Sequence, residues 1–355
     1  MSTQAPEQLT TAVRRRARLW TVGLLLLVGI SAVLCVGVGP VSVPPQTTAA
    51  VAAERIGLID DSGATRAQAF IVINIRLPRV VMGLAVGAAL AMSGAVLQGM
   101  IRNVLADPYV LGISSGASTG AAAAILFGFG ARMGQYSLPV SAFLGAMCAS
   151  LLVFWLGHAG GQATSIRLLL GGIAVGYALS AVTSFLVFSS DDAEGSRTVM
   201  FWLLGSLSPA RWDALLVAIV GVVAGAAVVL MLLSRPLDAL AVGDETARAL
   251  GVDPAATRLK LLTVVSLCTG AAVAGAGVIG FVGLVLPHLA RRLVGTVHAR
   301  MLPVTALLGS GLLIWADALS RVLMQPRELP IGIITALVGA PFLLLLIRRM
   351  YAKNT

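Results

Sequence analysis

The sequence predicts an all-α integral membrane protein with about ten transmembrane helices. Of its 355 residues, 58% are hydrophobic and only 11% are charged, whereas a soluble domain carries about 25% charged residues. The polar residues cluster in short breaks between apolar runs of roughly 20 residues, the length that crosses a bilayer core as a helix. We therefore expect one transmembrane domain over 19–348, between an N-terminal tail, 1–18, and a C-terminal tail, 349–355.

The first apolar run follows the basic segment RRRAR and is longer than the 7–15 residues typical of a signal peptide. We therefore predict that it is retained as the first helix. The seventh and eighth spans are separated only by AGAGVIGFVG, which indicates a tight turn or a re-entrant break that protein must bury. The predicted spans are 19–39, 77–99, 110–130, 137–157, 167–188, 213–233, 260–277, 279–296, 301–323 and 331–348.

An even number of spans places both termini on the same side of the membrane. If that side is cytoplasmic, it holds 16 of the 25 basic residues, as the positive-inside rule requires. We call this predicted cytoplasmic side the inner side. The outer side then holds a long proline-rich segment, 40–75, and a short apolar helix at about 198–207.

The longest hydrophilic stretch on the inner side is the loop 235–259. It spaces Leu240, Ala247 and Leu250 among charged residues, a pattern typical of one or two short amphipathic helices. Gly243 predicts a break in this pattern and Gly251, before Asp253-Pro254, predicts a stop. A plain connector needs no apolar stripe, so we predict a docking surface.

Several function classes are disfavoured by what the sequence lacks. The basic residues are scattered through loops, so nucleic acid is not a predicted partner. No GxxxxGK[ST] loop is present and the only lysines are Lys260 and Lys353, so we expect no nucleotide cofactor in this chain. The sequence offers no pairing of a nucleophile with a general base, which disfavours a membrane enzyme. Asp317, the clear intramembrane acid, can pair with Arg321 four residues on, which argues against an ion-coupled carrier working alone.

Five segments in order resemble the FecCD-like permease family, the membrane subunits of type II ABC importers for iron–siderophores, haem and cobalamin. The matching segments are RLPRVVMGLAVGAALAMSGAVLQGMIRNVLADPYVLGISSGAS (76–118), RLLLGGIAVG (167–176), GDETARALGV (243–252), GVIGFVGLVLPHLARRLVG (277–295) and ELPIGIITALVGAPFLLLLIRR (328–349).

The resemblance implies the type II importer permease fold in the cytoplasmic (inner) membrane, with both termini cytoplasmic. It implies a second permease subunit, identical or paralogous, two cytoplasmic ATPase subunits that bind ATP and Mg²⁺, and an extracytoplasmic substrate-binding protein. The expected substrate is a ferric siderophore or related iron chelate. The alternatives are haem or cobalamin and, in a different class, a stand-alone secondary transporter.

The resemblance also implies roles for particular residues. On the inner side, a coupling contact with the ATPase is expected from Asp244, Glu245, Arg248, Leu250 and Gly251, and a cytoplasmic gate from Thr164 and Ser165. Simple capping of the fifth predicted span is the alternative role for the last two. On the outer side, Arg76, Arg79 and Arg321 are expected to dock the binding protein through exposed ion pairs. The alternative role for these arginines is as interfacial anchors.

Overall fold

The computed structural model describes residues 4–55, 57–158 and 165–351, and every regular element in those ranges is helical. The α-helices are α1 Gln4–Gly37, α2 Pro45–Arg55, α3 Arg66–Phe70, α4 Leu77–Ile101, α5 Ile113–Phe127, α6 Ser137–His158, α7 Ser165–Phe188, α8 Ala193–Leu203, α9 Ala214–Leu232, α10 Ser234–Val242, α11 Asp244–Ala249, α12 Pro254–Ala276, α13 Val282–Val294, α14 His298–Ser320 and α15 Ile331–Tyr351. A π-helical stretch, Ile71–Arg76, precedes α4, and 3-10 turns lie at Pro108–Leu111 and Ala131–Tyr136.

Each predicted span coincides with a helix, and the prediction of a helical membrane protein is confirmed. Seven helices in the described ranges are long and apolar enough to cross a membrane: α1, α4 with its preceding turns, α6, α7, α9, α12 and α14. In the other three predicted spans the apolar helix is shorter, and it runs over Ile113–Phe127 in α5 and Ile331–Leu345 in α15. Helix α13 has 13 residues, which extend about 20 Å against a bilayer core of about 30 Å.

Several boundaries differ from the sequence-based ones. Helix α1 begins at Gln4, so residues 4–18 continue the first span as helix instead of forming a separate tail. The outer segment 40–75 contains α2, α3 and most of the π-helical stretch. The outer short helix is α8, Ala193–Leu203, because the side chain of Asp192 accepts hydrogen bonds from the backbone N–H groups of Glu194 and Gly195 and starts the helix there.

Helix α4 is the centre of the bundle. It packs against α9, α12, α13 and α14. In the most apolar stretch of this span 83% of the residues are buried, compared with 17% in that of α7. Close approach depends on small residues. A Cβ atom at Gly87 would lie 2.2 Å from the carbonyl oxygen of Gly309 in α14. Without water to drive association, such backbone contact supplies the packing between helices in lipid.

The predicted break between the seventh and eighth spans is real. Helix α12 ends at Ala276 and α13 begins at Val282, leaving a non-helical segment that includes the buried Ile279. The Tyr109 hydroxyl donates a hydrogen bond to the carbonyl of Ile279 and accepts one from its N–H, both at 2.9 Å. One side chain therefore satisfies both backbone groups of this residue, as a buried irregular segment requires.

We expect Gly87→Ala to destabilise the bundle by about 1–3 kcal/mol, because the new methyl group collides with the backbone of α14. The matched control is Gly225→Ala in α9, where nothing lies within 4 Å of an added Cβ atom. Thermal unfolding midpoints in detergent measure the difference. Equal midpoints for the two variants would show that the α4–α14 contact tolerates a larger separation.

Candidate functional site

The inner loop folds into the two short helices α10 and α11. Leu237 and Leu240 of α10 are fully buried, as is Ala247 of α11, so each helix lies with its apolar side against the bundle. The two helices meet at Gly243. The predicted amphipathic pattern and its break are both confirmed.

Helix α11 ends in a hydrogen-bonded C-cap. The N–H of Val252 donates to the carbonyl of Ala247 at 2.8 Å, and the N–H of Gly251 donates to that of Arg248 at 2.9 Å. This is the Schellman pattern, which needs a residue with positive φ at the position after the cap. Gly251 supplies it with φ of 77°. The predicted stop is therefore confirmed.

Asp244 fastens α11 to the bundle. Its carboxylate accepts two hydrogen bonds from Arg258 of α12, at 2.7 and 2.9 Å, and one from Arg102 at 3.1 Å. Arg102 lies just past the inner end of α4 and caps it. Hydrogen bonding from Arg258 lowers the pKa of Asp244, so the carboxylate is charged at neutral pH. Two neighbouring helices are thus joined to the loop through one side chain.

The other predicted contact residues lie on the outside of this clamp. Glu245, Arg248 and Gly251 are exposed, and Leu250 is 67% exposed. Sequence reasoning missed Val242 at the end of α10, which is 72% exposed and widens the apolar surface. The carboxylate of Asp244 is held by arginines of its own chain, and its contact with an ATPase stays a prediction. We call the exposed set Val242, Glu245, Arg248, Leu250 and Gly251 the inner surface.

A second tie anchors α10. The carboxylate of Asp238 accepts a hydrogen bond from the backbone N–H of His298 at 3.0 Å, and its Oδ1 lies 2.6 Å from His298 Nδ1. His298 is the first residue of α14. The residues are 60 positions apart, so no local sequence pattern could have revealed the pair.

On the outer side, Arg79 lies between two carboxylates. Its guanidinium donates to Asp317 at 2.8 Å and, through two nitrogens, to Glu328 at 2.9 Å each. The Arg79 and Asp317 side chains are 5% and 1% exposed, whereas that of Glu328 is 37% exposed. The pair of Arg79 and Glu328 therefore fixes the segment before α15 to the start of α4.

Arg321 and Arg76 bind the outer end of α1. Arg321 donates to the carbonyls of Cys35 and Val38, at 3.0 and 2.6 Å. Arg76 donates to the carbonyls of Val36 and Gly37, at 3.0 and 2.8 Å, and to that of Val41. The last carbonyls of a helix lack intrahelical partners and carry partial negative charge, so both arginines act as C-terminal caps for α1.

The predicted pairing of Asp317 with Arg321 is confirmed. Arg321 Nη2 lies 3.1 Å from Asp317 Oδ2, an ion-pair distance whose angles are not those of a hydrogen bond. Asp317 is thus neutralised by two arginines, Arg79 and Arg321. We call Arg76, Arg79, Asp317, Arg321 and Glu328 the outer cluster.

The expectation that Arg76, Arg79 and Arg321 are exposed is wrong. They are 3%, 4% and 2% exposed, because a charge near hydrocarbon is costly unless it is paired inside the protein. The alternative role as interfacial anchors does not describe them either, since their partners are protein atoms. Docking of a binding protein on these arginines stays a prediction that requires them to exchange partners.

Glu328 makes its full electrostatic contribution to the outer cluster at neutral pH. The hydrogen bonds from Arg79 lower the pKa of Glu328. A carboxylate with a lowered folded-state pKa stabilises the fold above its unfolded pKa, about 4.3 for glutamate, and loses that contribution as the pH falls through the folded-state value.

The predicted gate lies at the edge of the described residues. Thr164 falls outside them, and Ser165 is the first residue of α7. The proposed gating role of both residues remains a prediction.

A model of the FecCD transport family matches residues 25–349 of this chain. The chain belongs to the FecCD transport family. Its match begins within α1 and runs into α15, so it includes the outer cluster and the inner surface.

Relatives across this family have similar sequences over most of their length. The chain is 47% identical to the cobalamin import permease BtuC of Halobacterium salinarum, over 78% of this chain and 73% of that protein. It is 42% identical to the hemin transport permease HmuU of Yersinia pestis, over 80% and 84%, and 40% identical to the ferric enterobactin transport permease FepD of Escherichia coli, over 92% and 94%.

The fold also matches a solved structure, an inward-facing conformation of a metal-chelate type ABC transporter. The TM-score is 0.81 at 34% sequence identity, covering 93% of this chain and 98% of that one. These findings confirm the predicted family and the transport role of its members as ABC transporter permeases.

We expect Asp244→Asn to loosen α11, because an amide cannot accept the paired hydrogen bonds of Arg258 as a carboxylate does. Amide hydrogen exchange over residues 243–252 should quicken by about tenfold, the scale of one partly exposed charged hydrogen bond. Asp253→Asn is the control, since it removes a charge from the same loop while asparagine still caps α12. Equal exchange rates in both variants would contradict the claim that the Asp244 carboxylate fastens α11 to the bundle.

We expect Asp317→Asn to destabilise the fold by about 3–5 kcal/mol, because it leaves two buried arginines short of a counter-charge. Glu328→Gln should cost about 1 kcal/mol or less, since that carboxylate is partly exposed. Thermal unfolding can be followed in detergent by the reaction of buried Cys35 and Cys268 with a thiol dye, with the exposed Cys148 replaced in all variants. The reverse order of effects would count against Asp317 as the centre of the cluster.

Proposed function

We propose that this chain is the permease subunit of a binding-protein-dependent ABC importer. It moves a ferric siderophore or related iron chelate across the cytoplasmic membrane, with both termini in the cytoplasm. Two permease subunits, identical or paralogous, form the pathway, two cytoplasmic ATPase subunits bind ATP and Mg²⁺, and an extracytoplasmic protein delivers the substrate. Transport proceeds by alternating access, in which packed helices rock against each other.

The inner surface is the observation that carries this proposal. Leu250 and Val242 are large apolar side chains that are exposed. They lie on the inner loop, whose short helices are held against the bundle by buried leucines and by the hydrogen bonds of Asp244. A rigid lever of this kind can transmit the closure of a partner to the membrane helices, because packed elements move as bodies between discrete arrangements. The family membership supports an ATPase as that partner.

The outer cluster argues against a carrier that works alone. An ion-coupled transporter uses intramembrane carboxylates that bind and release a proton or cation. Asp317 is instead paired with Arg79 and Arg321, so its carboxylate is not available to bind and release a proton or cation. This arrangement supports a transport step powered from outside the chain.

The proposed substrate rests on the relatives whose names give a cargo that contains iron. Their names give hemin, ferric enterobactin and Fe(3+)-citrate as cargo for three of them and cobalamin for others. The structural relative is described as a metal-chelate type transporter, and a ferric siderophore is one kind of metal chelate. Cobalamin is the second candidate, because the permease named for it shares 47% identity with this chain.

The test is uptake by membrane vesicles that contain the chain, its ATPase and its binding protein. We expect ATP-dependent uptake of a ferric siderophore, with haem and cobalamin as parallel substrates, and loss of uptake when the phosphate-loop lysine of the ATPase is changed. Uptake that persists after that change would make the chain a secondary transporter. Transport of cobalamin alone would replace the proposed substrate and leave the importer assignment intact.

The same preparation tests the inner surface. Leu250→Asp should weaken co-purification of the ATPase at least tenfold, because a charge replaces an apolar anchor that the partner covers. Leu58→Asp is the matched control, since Leu58 is 72% exposed in the outer segment. If Leu250→Asp retains the ATPase as well as the control does, the partner docks elsewhere.

A further inference from the structure

A basic groove lies between α1 and α14 at their inner ends. Its volume is about 500 Å³, within the range of ligand pockets. Helix α1 contributes two arginines one turn apart, and α14 contributes a third near its start. The lining residues are Arg14, Ala17, Arg18, Thr21, Val22, Ala299, Arg300 and Pro303.

Packing between the two helices forms this groove. Ala17, Leu24 and Val28 of α1 are 6%, 7% and 8% exposed, so one stripe of α1 faces the bundle and α14 packs against it. Arg14 and Arg18 flank the inner end of this stripe and face the start of α14. The Thr21 hydroxyl donates to the carbonyl of Ala17 at 2.9 Å, which leaves its oxygen lone pairs to accept from a ligand.

The positive charge of the groove comes from three arginines. Among the side chains that the structure describes, no carboxylate forms an ion pair with Arg14, Arg18 or Arg300. Arg15 and Arg16 lie beside it on the same helix and are exposed. By contrast, Arg79 and Arg321 of the outer cluster form ion pairs with carboxylates. The groove therefore has the charge of a site that binds an anion.

Beyond the groove, α1 presents an apolar face. Val22, Leu25 and Leu26 are 56%, 60% and 63% exposed, along a helix long enough to cross the membrane. Trp20, at the level of the groove, is 39% exposed, and tryptophan is enriched where a membrane meets water. A molecule held here would have its anionic part among arginines and its apolar part along α1.

We propose that this groove binds the headgroup of an anionic phospholipid of the inner leaflet, with its acyl chains along α1. Guanidinium groups pair with phosphate oxygens through two hydrogen bonds each, and basic pockets between membrane helices on the cytoplasmic side bind such headgroups. Three arginines match the two phosphates of cardiolipin better than the single phosphate of phosphatidylglycerol. The proposal goes beyond the transport function and rests on the topology proposed above.

The experiment is native mass spectrometry of the purified full-length chain in detergent, with added cardiolipin, phosphatidylglycerol or phosphatidylcholine. We expect retention in that order. Arg14→Gln/Arg18→Gln/Arg300→Gln should lower cardiolipin affinity at least tenfold, because each basic residue near an anionic lipid contributes about a factor of five. Arg55→Gln/Arg132→Gln/Arg197→Gln removes the same charge from exposed outer positions and should leave the affinity unchanged.

Several results would overturn the proposal. They are equal cardiolipin loss in both triple variants, retention of phosphatidylcholine equal to that of cardiolipin, and full displacement by millimolar inorganic phosphate. Unchanged lipid binding in the groove variant, together with loss of the co-purifying ATPase, would make the groove a protein contact. Unfolding midpoints without lipid confirm that each variant is folded. Uptake does not enter the measurement, so its outcome is independent of the transport assignment.

Discussion

A polar group inside a bilayer has no water to bind, so its partner must come from the protein. This constraint explains where the helices of this chain lie. The open backbone at Ile279 takes both its hydrogen bonds from the Tyr109 hydroxyl. The carbonyls at the end of α1 take theirs from Arg76 and Arg321. Each solution joins segments that are distant in sequence, so satisfying polar groups also sets the tertiary arrangement.

Helices α4 and α14 connect the two sides of the molecule. Helix α4 carries Arg79 in its first turn and ends at Arg102, which binds Asp244 of the inner loop. Helix α14 carries Asp317 near one end and His298 at the other, and His298 is tied to Asp238 of α10. Between these ends the helices meet backbone to backbone at Gly87 and Gly309. They therefore form one stiff unit that reaches from the outer cluster to the inner loop.

This arrangement has a mechanical consequence. A displacement of the inner loop acts on α4 and α14 through charged hydrogen bonds rather than through flexible linkers. The α4–α14 contact leaves no room for an added atom between the backbones at Gly87 and Gly309, so the two helices are tightly packed there. Rigid-body motion of packed elements is a common way to couple distant sites. Relatives with cargo as different as cobalamin, hemin and molybdate share the sequence pattern over most of its length, which fits a framework built for coupling.

Composition and short-range patterns by themselves determined the membrane helices, the break after α12, the two helices of the inner loop and the stop at Gly251. These features depend on hydropathy over a span and on backbone preferences of glycine and proline, which are local properties. The pairing of Asp317 with Arg321 was also predictable, because residues four apart share a helix face.

Only the tertiary structure decided which charges are exposed. Arg79 meets Glu328 across 249 positions, and Arg321 meets the carbonyl of Cys35 across 286, so the burial of the outer arginines could not be inferred from their neighbours. Asp244 binds Arg258 of α12, 14 positions away, and also Arg102 past the end of α4, 142 positions away. An arginine beside an apolar run looks the same in sequence whether it faces water, lipid or a carboxylate. The free energy of the charge depends on which of these surrounds it, and that is set by helix packing.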